Sequence, residues 1–72
     1  MKFVKTYEDA TCKEFDIIVN NTKVAYYVEY VKNPETNEDL ESPVFEMYYN
    51  EDFEDSYVSD SLEDCLSYAD LV

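Results

Sequence analysis

Seventy-two residues read as a single small domain over residues 1–72, with 18 carboxylates, five lysines, no arginine, no histidine and no glycine, for a net charge of −13. Without glycine no phosphate-cradling loop can form, and without histidine the commonest general base and metal ligand is missing, which excludes the usual nucleotide and zinc chemistry. Yet 46% of the chain is apolar, with eight Tyr and four Phe, material for an ordered core that acidic disordered segments lack.

In chain order, Lys2 to Tyr7 reads as a strand. Phe15, Ile17 and Val19 then alternate with Glu14, Asp16 and Ile18, and Lys23 to Val31 follows with Val24, Tyr26, Val28 and Tyr30 on one face. Period-two alternation of this kind marks strands. Asn20-Asn21 lies between the two runs, and Asn tolerates the left-handed backbone of a tight hairpin. A two-residue turn there predicts the pairs Val19–Thr22, Ile17–Val24 and Phe15–Tyr26. Phe15, Ile17, Val19, Val24, Tyr26 and Val28 form the expected scaffold.

Asn33 to Ser42 is polar, contains Pro34 and reads as a loop. Pro43 to Tyr49 follows as a strand, with Phe45, Met47 and Tyr49 toward the core and Val44, Glu46 and Tyr48 away from it. Asn50 to Tyr57 reads as an acidic connection interrupted by Phe53. Beyond it, Leu62, Cys65, Leu66, Ala69 and Val72 keep the spacing of one apolar helical stripe. Ser59 or Asp60 is the expected N-cap, and Asp60 with Glu63 has capping-box spacing. Asp60, Glu63 and Asp64 fall where the helix dipole favours negative charge, and Asp70 near the end where it does not. The expected fold is α+β: a three- or four-stranded antiparallel sheet with one C-terminal helix packed on a face.

The chain carries no apolar run long enough to span a bilayer and no signal-peptide pattern at its start. The expectation is a cytoplasmic protein, with Cys12 and Cys65 as reduced thiols and no membrane partner, since anionic lipid repels it. Calcium-type spacing occurs twice. Asn50, Asp52 and Glu54 place oxygens at the first, third and fifth loop positions, but Asp55 and Ser61 stand where an EF-hand needs Gly and Glu. Asn37, Asp39 and Glu41 have similar spacing, with Tyr48 at the twelfth position. No metal and no cofactor are expected. A paired-carboxylate catalyst needs a pocket that drives two pKa values apart, for which so short a chain leaves little room, so the chain is not read as an enzyme.

The acidity is one-sided. Residues 1–32 hold five lysines and five carboxylates, while residues 33–72 hold thirteen carboxylates and no basic residue. A small domain needs a net charge of only a few units for solubility, and further self-repulsion destabilises it. Such an excess suits a surface that meets something positive. Carboxylates two residues apart on an extended segment are about 6–7 Å apart, close to two phosphate steps of a DNA strand. The densest run is Glu51, Asp52, Glu54 and Asp55, which are the first candidate contacts; Asp39, Glu41, Glu63 and Asp64 come next. Tyr48, Tyr49, Phe53, Tyr57 and Tyr68 lie among them as a rigid aromatic frame.

In size, charge and lack of catalytic parts, carried by Glu35 to Asp70, the chain resembles the small acidic DNA-mimic inhibitors of phages and mobile elements: anti-CRISPR proteins first, then anti-restriction proteins and uracil-DNA glycosylase inhibitors. The resemblance implies a partner that is a basic nucleic-acid-binding protein, a Cas effector first, and no direct nucleic-acid binding by the chain itself. It implies occlusion of a DNA channel, such as the site where basic residues read a PAM. The alternative is an acidic protein-interaction module that binds a basic patch without imitating DNA.

Overall fold

The computed structural model describes residues 1–50 and 52–72. The chain runs through β1 (Lys2–Glu8), β2 (Cys12–Val19), β3 (Thr22–Lys32), β4 (Asp39–Tyr49), β5 (Asp55–Ser59) and α1 (Leu62–Tyr68). Each strand is antiparallel to the next, and the order across the sheet is the order along the chain. The expected α+β architecture is therefore present, with five strands where three or four were predicted. The added strand is β5, which falls within the segment predicted as an acidic connection. It was hidden because Tyr57 is its only apolar side chain facing the core, with Asp55 and Ser59 beside it on that face.

The Asn20-Asn21 turn forms as predicted. Both residues take positive φ, 52° and 64°, as a type I′ turn requires, and Val19 pairs with Thr22. Beyond that point the predicted register fails. A bulge leaves Val24 unpaired, so Ile17 faces Ala25 and Phe15 faces Tyr27. The alternation could not show this, because Val24 to Val28 is apolar or aromatic at both parities. The bulge sends Ala25 and Tyr27 into the core and moves Tyr26, Val28 and Tyr30 to the opposite face. Val24, the extra residue, still packs against the core edge.

One rung crosses the whole sheet on the core side: Lys5, Phe15, Tyr27, Met47 and Tyr57. Tyr27 is its centre, stacked on Phe15 with ring centroids 5.0 Å apart and met edge-on by Phe3 and Phe45. Aromatic pairs of this geometry add about 0.5–1.5 kcal/mol beyond their buried area. Ile17, Ala25, Met47 and Cys65 have no exposed surface. As predicted, Phe45, Met47 and Tyr49 are the inward residues of β4. That strand starts at Asp39, four residues before the predicted boundary at Pro43. Pro43 is tolerated because pairing with β3 jumps from Tyr30–Val44 to Lys32–Asp39, so no ladder bond needs its missing N–H.

The helix is short and lies against β4 and β5 alone. Its N-cap is Ser61, beyond both predicted positions, Ser59 and Asp60: the Ser61 hydroxyl accepts from the Asp64 N–H at 3.2 Å, and the Ser59 hydroxyl accepts from the Ser61 N–H at 3.1 Å. Cys65 and Leu66 are buried, with the Cys65 thiol 3.8 Å from the Phe45 carbonyl. At the other end Asp70 turns left-handed, with φ 59°. The Asp70 N–H then reaches the Ser67 carbonyl and the Leu71 N–H the Leu66 carbonyl, which is a Schellman cap. The turn breaks the 3.6-residue period, so Leu71 packs on the core and Val72, the predicted stripe residue, stands 74% exposed.

Candidate acidic interface

The meander turns a gradient along the sequence into a gradient across the sheet. All five lysines lie on β1, β2 and β3. Among the described residues, the acidic residues after Lys32 lie in the β3–β4 loop (Glu35, Glu38), on β4, β5 and α1 or the segments joining them, and just past α1 (Asp70). With neighbouring strands about 4.8 Å apart, the balanced part and the purely acidic part become two sides of one sheet. Among the described residues three ion pairs form: Lys5–Glu8 at 2.5 Å, Lys23–Asp16 at 3.2 Å and Lys32–Asp39 at 3.7 Å. Only the last reaches the acidic side, and the Asp39 side chain there is 86% exposed, so its contribution is small.

Tyrosine hydroxyls take the place of the missing cations. Tyr57 donates to Asp64 Oδ2 at 2.8 Å, and Tyr30 donates to Glu46 Oε1 at 3.1 Å. The hydrogen bond to Asp64, together with burial, pushes the Tyr57 phenol up from its ordinary pKa. Burial first and the Glu46 carboxylate second push Tyr30 up to about 12. Tyr48 rises to about 12 through burial first and then the Glu46 carboxylate beside it. These phenols stay protonated at neutral pH, so they donate to carboxylates without adding charge.

The predicted contact residues occupy three places. Asp52, Glu54 and Asp55 lie at the β4–β5 end of the sheet, where Asn50 donates to Asp55 from its side-chain amide; Glu51, predicted with them, lies outside the described residues. Asp39 and Glu41 sit at the opposite end of β4; because Asp39 pairs with Lys32 and Tyr48 with Tyr26, the two ends are roughly 20–25 Å apart at the rise of the paired strand. Glu63 and Asp64 are in the first turn of α1, which starts beside the Ser59–Phe45 pair and so lies between the two ends. The structure thus spreads these residues along the β4–β5–α1 flank and does not gather them into one patch.

Sequence reasoning did not single out Glu46 as a contact. Glu14, Val28, Glu46 and Val58 form one rung on the face that the helix leaves uncovered, beside the rung of Asp16, Tyr26, Tyr48 and Ser56. Tyr26 and Tyr48 stack at 4.7 Å, and Phe53, held at φ 54°, meets Tyr26 edge-on. The signal was present in β4, whose alternation already placed Glu46 outward between Val44 and Tyr48.

Cys12 shares the uncovered face with Tyr30, whereas Cys65 is on the helix and faces the core on the other side of the sheet; both thiols are free. Among the described residues no helix is long and apolar enough to cross a membrane, and no group of three or more Cys, Asp or Glu side chains is placed to hold a metal ion. Compared with known proteins, the chain matches no family model, no curated sequence and no solved structure.

Proposed function

We propose that the chain binds a basic nucleic-acid-binding surface of another protein and keeps DNA out of it, with the β4–β5–α1 flank as the contact side. The observation that supports this reading is the sheet order. It confines every lysine to the first three strands and leaves the opposite flank with carboxylates alone. The flank follows β4 for roughly 20–25 Å, the span of about six or seven phosphates along one DNA strand. Asp52, Glu54 and Asp55 at one end, Glu63 and Asp64 in the middle, and Asp39 and Glu41 at the other end would stand for phosphates. The partner's lysines and arginines would exchange DNA oxygens for carboxylate oxygens. Association would be steered by the asymmetric charge and slowed by salt. The resemblance to anti-CRISPR inhibitors makes the DNA channel of a Cas effector the first partner to test, in the cytoplasm.

The test is competition. Proteins retained on the immobilised chain and released by salt are identified by mass spectrometry, and each is then titrated with the chain in the presence of a labelled duplex. Displacement of the duplex, lost on Asp52→Asn, Glu54→Gln, Asp55→Asn substitution with the fold intact, is the expected result. A retained partner whose DNA affinity does not change would instead make the chain an acidic interaction module without mimicry.

A further inference from the structure

The uncovered face of the sheet carries a groove of about 390 Å³ at the β3–β4 hairpin end, lined chiefly by Tyr30, Pro34, Glu35, Val44, Glu46 and Val58. Its outer wall is held in place by the hairpin loop. The Asn33 side-chain carbonyl accepts from the Glu35 N–H at 2.9 Å, and the Asn33 N–H donates to the Glu38 carbonyl at 2.8 Å. Pro34 and Glu35 are thereby fixed over the face. The walls are apolar, the polar groups include two carboxylates, and no lysine lines the groove. The nearest cation along the chain, Lys32, is turned to Asp39.

We propose that this groove receives an arginine side chain presented by the partner protein. The inference rests on the reading that the partner surface is basic. An occupant of the groove must present apolar surface to Pro34, Val44 and Val58 and a positive end to Glu46 and Glu35. Arginine and lysine both have an apolar stem and a charged head, but the groove distinguishes them. Glu46 already accepts from the Tyr30 hydroxyl on Oε1 and from the Ser56 hydroxyl, at 3.5 Å, on Oε2. Each oxygen keeps a free lone pair, and the two together present the parallel geometry that a guanidinium fork fills and an ammonium does not. The Tyr30 ring lines the same groove and offers a face on which the planar cation stacks. The groove is also on the strand next to the lysine-bearing part of the sheet, so it extends the contact side around the edge of the acidic flank.

The probe is N-acetyl-arginine-methylamide, with the citrulline analogue as its neutral isostere and the lysine analogue as its ammonium counterpart. Methyl shifts of Leu40, Val44 and Val58 are followed by NMR. The arginine probe should move them saturably, with a dissociation constant on the order of millimolar and about tenfold tighter than the citrulline probe. Val58→Lys, at a position 56% exposed, should abolish the response by placing an ammonium in the groove, while unchanged Met47 methyl shifts report an intact fold. No saturable movement, equal response to citrulline, or an undiminished response in Val58→Lys would overturn the inference. Arginine binding by a chain that displaces no DNA would overturn the mimicry and leave the groove standing. DNA displacement unchanged by Val58→Lys would remove the groove from the contact and leave the mimicry.

Discussion

A glycine-free chain must fill each left-handed position with a residue that has a Cβ, and Asp70 is the place to measure the consequence. It sits at φ 59° just past the last turn of α1, where the Schellman cap requires that backbone. A left-handed L-residue costs about 1–2 kcal/mol, with Asp at the low end. Glycine there would remove the cost but lose about 0.5–1 kcal/mol more chain freedom on folding. Asp70→Gly should therefore gain about 0–0.5 kcal/mol from the backbone, and removing a carboxylate from the negative end of the helix adds about 0.5 kcal/mol, so the variant should be about 0.5–1 kcal/mol more stable. For a domain of this size that is a Tm increase of about 2–8 °C. Asp70→Ala is the necessary control, because it removes the same charge and keeps a Cβ. Circular-dichroism melts at low and high salt separate the parts: the electrostatic part shrinks with salt, whereas the difference between Gly and Ala does not. If Asp70→Gly melts no higher than Asp70→Ala, the left-handed cap is not where the strain lies.

Met47→Ala empties a fully buried position on the rung that crosses the sheet and should cost about 2–5 kcal/mol, a large share of the roughly 4–11 kcal/mol available to a chain this long. A urea midpoint close to that of the wild type would contradict the burial of Met47. At alkaline pH, the folded state raises Tyr30 and Tyr48 to about 12 from an ordinary value near 10. A raised pKa means that the fold prefers the protonated phenol, so its contribution is complete below pH 10 and is lost as the pH climbs through about 12. The urea midpoint should fall across that window and fall less in Tyr30→Phe; a flat profile would refute the assignment.

The parts of the fold that could be read from the residues were those where one physical signal acted alone. Asn20-Asn21 supplied a turn, β4 alternated cleanly, and Leu62, Cys65 and Leu66 repeated at helical spacing. The parts that could not be read were those where two signals cancelled or tertiary packing decided. In β3 both faces are apolar, so only the bulge at Val24 decides which of Tyr26 and Tyr27 is core. In β5 a single inward Tyr57 is too little pattern, and the strand forms because β4 and α1 offer it pairing and cover. At Asp70 a cap without glycine gave no warning that the stripe would end before Val72. For the interface, the charge split was plain in the composition. That it becomes a division of the molecule depends on the strand order, and the Glu46 groove depends on the fold of the Asn33–Glu38 loop.

The meander also bears on how the chain reaches its fold. Because every strand pairs with its neighbour in the sequence, no contact in the sheet has to wait for a distant segment, and low contact order of this kind favours fast folding. The β2–β3 hairpin closes over two residues, so the charge-balanced strands can assemble as soon as they leave the ribosome. In the folded sheet the acidic strands and the helix lie along one edge of that surface. Mutual repulsion among their carboxylates is offset there by the core contacts of Phe45, Met47 and Cys65.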